Sequence, residues 1–287
     1  MQALIITAYK KKELLERNLR LFSSHFKCFV HIDKKSELND CEYIQRLNSI
    51  ENTVVISKYN INWGSYLHMM AILDLLKLAA CDEEISRVHI ISGEDFPLKT
   101  VDEFDEFFER DNRYRNFINI VDIRDDVKMK RRYEKFHFCH ILNRKSNNIL
   151  IKFLDKGIRQ LQYHIPLKRN VKFDYMGLVW SSLSIEGVRA VIEYMTPLRI
   201  KILKYCAIAE EFMIQNALMD SDLKDTVVPD SKSYNVWERQ DSSGPRVLTI
   251  DDYENMIKSN CFFARKIQDS GDDKGKALYD ALYNRFC

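Results

Sequence analysis

The sequence has little proline and glycine, with 5 Pro and 8 Gly in 287 residues. This low content excludes collagen-like, linker-rich and disordered chains. No run of ~18 apolar residues occurs, which is the length that a membrane-spanning helix needs. The N-terminus is apolar at once and its lysine cluster, Lys10–Lys12, comes afterwards, whereas a signal peptide has the opposite order. We therefore expect a globular protein whose residues 3–7 form its first strand.

The chain also lacks an excess of either charge. It has 44 basic and 42 acidic residues and a net charge of +2, which gives no general case for nucleic acid or an anionic membrane as a partner. The basic run Lys128–Arg132 has acidic neighbours, so a solvated face is the expected reading. Apolar residues at 46% and charged residues at 30% are ordinary for a soluble enzyme.

Metal-binding patterns are missing as well. The seven cysteines are scattered, odd in number and without a CxxC or Cys/His spacing, so we expect mostly reduced thiols in a cytosolic protein. His137 and Cys139-His140 lie close together, but no second cluster completes a zinc site. The only Asp-x-Asp triplet is Asp220-Ser221-Asp222, at the end of a predicted helix. We interpret it as a solvated helix terminus and expect no metal site.

Short apolar strands alternate with helical patterns in the first hundred residues. Strands are predicted at 3–7, 28–32, 53–57 and 88–91, and helices at 12–23, 37–48 and 66–79. This order indicates an α/β fold with a mainly parallel sheet covered on both faces. Ligands of such sheets bind beyond the carboxyl ends of the strands. No GxGxxG, P-loop or GxSxG motif is present. The chain therefore lacks the main signatures of dinucleotide dehydrogenases, P-loop kinases and α/β-hydrolases.

The second part is more mixed, and no linker divides it from the first. Strands are predicted at 117–123 and 175–184, with a strand-like segment at 261–267. Helices are predicted at 149–163, 185–195, 202–219, 250–258 and 272–285, while 124–135 is a charged run and 229–246 a loop. We expect one continuous body over residues 1–287.

Several polar residues follow strands directly. Asp33 and Asp95 could accept hydrogen bonds from a ligand, but helix capping and turn formation explain them as well. Trp63 precedes a clear helix, where its ring could stack on a base or simply pack in the core. Arg265-Lys266 follows an apolar segment, where cations could hold a diphosphate or form a solvated strand end.

Two adjacent carboxylates, Glu210 and Glu211, lie in an apolar helical pattern. Ala207 and Ile208 on one side and Ile214 and Gln215 on the other are helical neighbours of Glu211. Desolvation there would raise its pKa and favour general-base catalysis. The alternative is one exposed glutamate beside one structurally paired glutamate.

Six segments then occur in a fixed order. They are Val30–Ser36 (VHIDKKS), Trp63–Ser65 (WGS), Ile90–Thr100 (IISGEDFPLKT), Gly177–Leu183 (GLVWSSL), Glu210–Met213 (EEFM) and Phe262–Lys266 (FFARK). Together they resemble the core-2/I-branching β-1,6-N-acetylglucosaminyltransferase family, which includes the peptide O-xylosyltransferases. The resemblance implies a GT-A-type fold, a UDP-sugar donor, inversion at the anomeric carbon and no requirement for a metal ion or other cofactor.

The resemblance also implies roles for single residues. Glu211 matches the general base and Lys266 the diphosphate-binding lysine. The donor site would comprise Asp33, Lys35, Trp63, Asp95, Arg265 and Lys232 in addition to Lys266. Substrate binding is assigned to Glu210, Trp180, Gly177 and Tyr133. Residues of about 1–115 would form the nucleotide-sugar half, about 116–270 the acceptor and catalytic half, and 271–287 a C-terminal helix.

Two departures from the family pattern stand out. Where the family has a second diphosphate-binding arginine before the tryptophan of its late loop, the count back from Trp237 reaches Ser233. Lys232 and Arg239 are the candidate substitutes. The xylosyltransferase branch resembles Gly-Ser-Asp-Trp where this chain has Gly177-Leu178-Val179-Trp180, which argues against peptide xylosylation.

The expected donors are UDP-GlcNAc first, then UDP-xylose, then UDP-glucose or UDP-glucuronate. Because the chain begins on its first predicted strand, without the anchor and stem of the eukaryotic members, we expect a bacterial-type cytoplasmic enzyme. Its acceptor would be a glycan or a lipid-linked oligosaccharide, with no nucleic-acid partner. For a lipid-linked acceptor, Lys128–Arg132 and Lys168-Arg169 are candidates for peripheral attachment at the inner face of the membrane. The alternative is a non-catalytic nucleotide- or glycan-binding protein on the same fold.

Overall fold

The structure is a computed structural model, which describes residues 1–143, 145, 148–164, 168–238, 244–269 and 273–286. The central sheet of the described residues has seven strands: β1 Gln2–Ala8, β2 Lys27–Ile32, β3 Thr53–Ile56, β4 Arg87–Ser92, β6 Asn116–Ile118, β9 Ser181–Ser184 and β10 Val227–Val228. Their order across the sheet is β10-β6-β9-β4-β1-β2-β3. Among these strands, only β9 runs antiparallel to its neighbours.

Two small sheets complete the strand structure. One joins β5 Asp95–Pro97, β11 Ser233–Asn235 and β12 Phe263–Arg265 in the order β11-β12-β5. The other is the antiparallel pair β7 Val121–Asp122 and β8 Tyr175–Met176. Since β12 pairs with β5, the late segment Phe263–Arg265 lies beside the residues that follow β4.

Helices cover both faces of the central sheet. The α-helices are α1 Lys12–Phe22, α2 Cys41–Asn48, α3 Tyr66–Ala80, α4 Val101–Phe104, α5 Val127–Glu134, α6 Ile149–His164, α7 Ile185–Tyr194, α8 Pro197–Leu203, α9 Glu210–Met219, α10 Tyr253–Lys258 and α11 Asp273–Phe286. A π-helix, Asp105–Asp111, continues α4, and Lys224–Thr226 and Ile250–Asp252 are 3₁₀ turns.

Strand β1 shows why the sheet is covered on both sides. All seven of its residues are buried, and successive side chains of a strand point to opposite faces. Leu4 and Ile6 pack into one hydrophobic cluster with α1 and α11, whereas Ala3 and Ile5 pack into a second cluster with α3, α7 and α9. This confirms the predicted mainly parallel α/β sheet flanked by helices.

The first half follows the sequence prediction, and the second half departs from it. The predicted strand 117–123 is divided into β6 and β7, and 175–184 into β8 and β9. The charged run 124–135 contains α5, and the helical segment at 101–111 was not predicted. No helix among the described residues is long and apolar enough to cross a bilayer.

Candidate active site

The parallel strands β1, β2 and β4 bring three polar segments to one edge of the sheet. Thr7, near the end of β1, pairs in register with His31 on one side and Ser92 on the other. Asp33 follows β2 directly, and its backbone N–H donates to the carbonyl of Ala8 (2.9 Å). The predicted placement of strand-end residues along one edge is thus confirmed.

Asp33 organises the loop beside this edge. Its buried carboxylate accepts hydrogen bonds through Oδ1 from the backbone N–H groups of Lys35 (3.2 Å) and Ile61 (3.1 Å). The exposed Lys35 ammonium donates to Asn62 Oδ1 (2.8 Å). The structure therefore brings Asp33 and Lys35 together with the loop that carries Trp63.

Trp63 presents a ring at the surface of this loop. The side chain is 38% exposed, and the Lys145 ammonium lies 5.1 Å from its centroid. Gly64 follows with a φ of 73°, a conformation that glycine adopts without strain. The Gly64 carbonyl accepts from the Ile208 N–H (2.9 Å), so this loop touches the turn that precedes the two adjacent glutamates.

Asp95, Arg265 and Trp180 form a second group. The Arg265 guanidinium lies 3.8 Å from the Trp180 centroid, and its Nε is 3.5 Å from Asp95 Oδ1. Burial raises the pKa of Asp95, while the charge of Arg265 acts in the opposite direction. Because Asp95 is buried to 3% exposure, it orients Arg265 rather than lining an open cleft.

Lys266 follows β12 and is half-buried among other cations. Burial lowers the pKa of its ammonium, Glu94 counteracts this, and the charges of Arg265, Lys10 and Lys145 lower it further. Lys10 also pairs with Glu94, at 3.0 Å between Nζ and Oε1. Four basic side chains from three separate parts of the sequence therefore concentrate positive charge at one place. We call Lys10, Lys145, Arg265 and Lys266 the cationic cluster.

Lys232 does not join this cluster. Its ammonium pairs with Asp230 (2.8 Å) and lies over the rings of Phe107 (5.5 Å) and Phe117 (5.8 Å). The side chain is only 12% exposed, so the structure commits it to internal contacts and not to the donor site we expected. Arg239, the other expected substitute, lies outside the described residues.

Glu211 lies in the first turn of α9, not within a longer helix. The predicted helix 202–219 is interrupted because Ile208 has a φ of 57° and α9 begins at Glu210. At this break, two backbone N–H groups donate to carbonyls outside the helix. The Ala207 N–H donates to the Arg132 carbonyl and the Ile208 N–H to the Gly64 carbonyl, both at 2.9 Å. Ala207 and Ile208 are therefore not same-helix neighbours of Glu211, as the sequence pattern had indicated.

The Glu211 carboxylate has a perturbed pKa. Its Oε2 accepts from Arg132 Nη1 at 2.6 Å, and its side chain is 17% exposed. Burial raises the pKa to about 7, the adjacent Glu210 acts in the same direction, and Arg132 opposes both. A carboxylate that titrates near neutral pH can accept a proton at physiological pH and release it again.

Gly177 fixes the backbone beside this carboxylate. Its N–H donates to the Glu211 carbonyl (2.9 Å). A Cβ at Gly177 would lie 1.9 Å from the Asn119 carbonyl oxygen, so no side chain fits without a backbone shift. Gly177 thus acts through the backbone rather than by direct contact of a side chain with substrate.

Glu210 connects the two halves of the site. Its Oε1 lies 2.9 Å from His68 Nδ1, and His68 Nε2 lies 3.2 Å from Thr7 Oγ1 at the end of β1. The His68 ring is 6.4 Å from that of Trp180. Contacts therefore run without a gap from Glu210 through His68 and Trp180 to Arg265.

Tyr133 is not at the site surface. It is 2% exposed and packs edge-on against Phe173 (5.4 Å) and Phe212 (5.7 Å). The expected contact with substrate is therefore wrong for this conformation, because the ring is enclosed by the core. Tyr133 lies in α5 beside Arg132 and helps to anchor the helix that carries it.

The Asp-x-Asp triplet lies at the end of α9, where Asp220 is the C-cap residue, and both of its aspartates are exposed. The described residues contain no group of three His, Cys, Asp or Glu side chains that could hold a metal ion.

Sequence reasoning missed four residues of the site: Arg132, His68, Lys10 and Lys145. Arg132 was hidden in the basic run 128–132, whose other members gave it the appearance of a solvated face. Lys10 lies just beyond the end of β1, so its position was the one available signal. Nothing in the local pattern distinguishes His68 or Lys145, because their partners are distant in sequence.

No curated protein matches the chain significantly. The family profile described as Core-2/I-Branching enzyme matches residues 3–257, which include most of both core clusters and all the site residues except the Arg265-Lys266 segment. The chain belongs to the Core-2/I-Branching enzyme family and is therefore a glycosyltransferase.

Proposed function

We propose that this protein transfers a sugar, GlcNAc by first expectation, from a UDP-sugar to a glycan hydroxyl with inversion at the anomeric carbon. Glu211 is the general base. The observation that carries the proposal is its position: a carboxylate with a pKa of about 7, connected through Glu210, His68, Trp180 and Arg265 to a cluster of cations.

The reaction requires one base on the side of the sugar opposite the leaving group. The acceptor oxygen forms a bond to C1 while its proton passes to the Glu211 carboxylate. The bond from C1 to the UDP oxygen breaks, and UDP leaves with the electron pair. A single displacement of this kind inverts the configuration at C1 and needs no covalent enzyme intermediate.

The leaving diphosphate is stabilised by protein cations in this proposal. Lys266 is the principal group, with Lys10 and Lys145 beside it, and the buried Arg265 adds its charge to the same cluster. Burial and then the neighbouring positive charges lower the pKa of Lys266, and a bound anion would offset the repulsion between those charges. We propose that these cations take the part that a divalent metal plays in metal-dependent transferases.

The nucleoside binds beyond β2. Asp33, Lys35 and Trp63 are assigned to it because they meet in one loop cluster and the Trp63 ring is exposed enough to stack on a base. Asp95 orients Arg265, and Glu210 orients His68. Trp180 lines the space between the cations and Glu211.

We further propose a cytoplasmic location and a role in assembling a polysaccharide or a lipid-linked oligosaccharide. Six cysteines, all among the described residues, are free thiols, which is typical of a reducing compartment.

A UDP-release assay tests the proposal. Wild type is measured with UDP-GlcNAc, UDP-xylose, UDP-glucose and UDP-glucuronate in excess EDTA, alongside Glu211→Gln and the matched neighbour Glu210→Gln. We expect one preferred donor, no effect of EDTA, and a loss of ~10²–10⁴-fold in kcat for Glu211→Gln. The loss for Glu210→Gln should be smaller, because Glu210 orients His68 but accepts no proton from the acceptor. Release abolished by EDTA would refute the metal-free mechanism. Equal losses in both variants would refute Glu211 as the specific base.

UDP binding by calorimetry separates catalysis from binding alone. Both variants should bind UDP with the affinity of wild type, because neither glutamate contacts the cationic cluster. Tight UDP binding without turnover of any donor and acceptor, unchanged by Glu211→Gln, would support a non-catalytic binding protein instead.

A further inference from the structure

Helix α6 exposes an apolar face that packs against nothing in the described part of the chain. Five large side chains on it are exposed by more than half: Ile149 (74%), Leu150 (69%), Phe153 (77%), Leu154 (58%) and Leu161 (59%). At 3.6 residues per turn they fall within an arc of roughly 140°. A contiguous apolar stripe of this kind on a surface helix marks an interaction site rather than scattered exposure.

The opposite side of α6 holds the helix to the protein. Asp155 is buried on that side, where its Oδ2 accepts from Arg159 Nε of the same helix (2.9 Å). Gln162 and the backbone of Phe136 exchange two hydrogen bonds, with Phe136 N–H donating to Oε1 (2.8 Å) and Nε2 donating to the Phe136 carbonyl (2.9 Å). The apolar stripe is therefore presented outward by a docked helix.

Charge identifies what would cover the stripe. The exposed Lys152, Lys156 and Arg159 lie along one edge of it. Residues 141–160 contain five Lys and Arg and one acidic residue, although the whole chain has a net charge of only +2. Helices with an apolar face and a basic flank lie in the interface of anionic bilayers. A second copy of the chain would bring the same positive charge onto this surface, whereas anionic lipid neutralises it.

The surface also adjoins the loop that carries Trp63 in the candidate site. The loop before α6 carries Lys145, which lies over the Trp63 ring, and Asn62 Nδ2 of the Trp63 loop donates to the His140 carbonyl (3.4 Å). A membrane seated on α6 would therefore lie beside the donor loop, on the side from which a lipid-linked acceptor could enter.

We propose that α6 is a peripheral membrane-docking helix, which inserts Ile149, Leu150, Phe153, Leu154 and Leu161 into the interface of an anionic bilayer while Lys152, Lys156 and Arg159 contact the lipid phosphates. The docking itself does not depend on the proposed sugar transfer.

Vesicle co-sedimentation of the whole protein, without donor or acceptor, tests the proposal. Vesicles of 30% phosphatidylglycerol in phosphatidylcholine are compared with pure phosphatidylcholine. We expect Lys152→Gln/Lys156→Gln to weaken binding to the anionic vesicles by about 25-fold, at about fivefold per lysine. Phe153→Ser/Leu154→Ser should weaken it by at least ~10-fold, because two large apolar groups no longer insert.

Matched control substitutions are available on α3. Leu78→Ser and Lys77→Gln change exposed residues near the C-terminus of α3, which precedes β4 and so lies at the opposite end of the sheet from the active site. Both controls should bind as wild type does. Thermal denaturation of every variant should give the same midpoint, since all the substituted side chains are exposed.

Three results would overturn the proposal. The first is no binding of wild type to anionic vesicles. The second is binding to pure phosphatidylcholine vesicles that equals binding to the anionic vesicles and that is unchanged in the variant Lys152→Gln/Lys156→Gln. The third is a dimer of wild type in sedimentation equilibrium that Phe153→Ser/Leu154→Ser converts to monomer, which would identify the stripe as a self-association surface. Since UDP release is measured without vesicles, failure of docking and failure of the proposed catalysis are separate outcomes.

Discussion

Removing the positive charge beside Glu211, the proposed general base, should displace the pH profile of the enzyme. Arg132 Nη1 lies 2.6 Å from Glu211 Oε2. Burial raises the pKa of Glu211 to about 7, and the charge and hydrogen bond of Arg132 keep that pKa from rising further. The base must be ionised to accept a proton, so activity falls as the pH falls through this pKa. Arg132→Gln removes the opposing charge, and the acidic limb should therefore move to higher pH.

The size of the displacement follows from the geometry. An opposite charge at this range lowers a carboxyl pKa by ~1–3 units in proteins. The exposures of the two side chains, 29% for Arg132 and 17% for Glu211, favour the lower part of that range. The Glu211 pKa should thus rise from about 7 to roughly 8–9. At pH 7 the ionised fraction would fall from about one half to ~1–10%, which lowers the rate ~5–50-fold.

The assay is kcat/KM for UDP release between pH 5.5 and 9.5, with Arg132→Lys as the control that keeps the charge. Arg132→Gln should approach the wild-type rate at the alkaline end, and Arg132→Lys should keep a limb close to that of wild type. A uniform loss at every pH, with the limb unmoved, would refute the assignment of that limb to Glu211.

Three further predictions concern Gly177, Lys266 and Arg87. Gly177→Ala should lower the free energy of unfolding by ~3 kcal/mol or more in urea denaturation, because its Cβ would lie 1.9 Å from the Asn119 carbonyl oxygen. Lys266→Ala should weaken UDP binding ~10–100-fold in calorimetry, the contribution of a hydrogen bond to a charged group. Arg87→Leu should cost ~3 kcal/mol of unfolding free energy, because this buried guanidinium donates to the backbone carbonyls of residues 112, 113, 115 and 182.

Controls exist for these predictions too. Gly157→Ala places a methyl group where nothing lies within 4 Å, so it should not destabilise the helix that holds it. Lys266→Arg keeps the charge and should retain most of the UDP affinity. Undiminished affinity in Lys266→Ala would remove Lys266 from the proposed diphosphate site, and unchanged stability of Gly177→Ala would show that the backbone at Asn119 yields easily.

The parallel half of the sheet was predictable because its determinants are local. Strands β1, β2, β3 and β4 are short apolar segments between helical patterns, and such segments indicate a sheet buried on both faces. Once the strands are parallel, the residues that follow them share one edge. The positions of Asp33 and Asp95 near that edge could therefore be inferred from residue order alone. The order of the six family segments likewise predicted a glycosyltransferase without any contact being known.

The surroundings of Glu211 depend on tertiary structure. No glycine or proline marks the interruption between α8 and α9, so the apolar pattern predicted one helix over 202–219. The break is stable because its amides donate to the carbonyls of Arg132 and Gly64, which belong to distant segments. The same folding brings the Arg132 guanidinium to Glu211. Local pattern therefore determined the sheet, and the resemblance to the family pointed to Glu211 as the proposed base. The pKa and the partners of Glu211 arise only when separate segments meet, since burial and charge act through space.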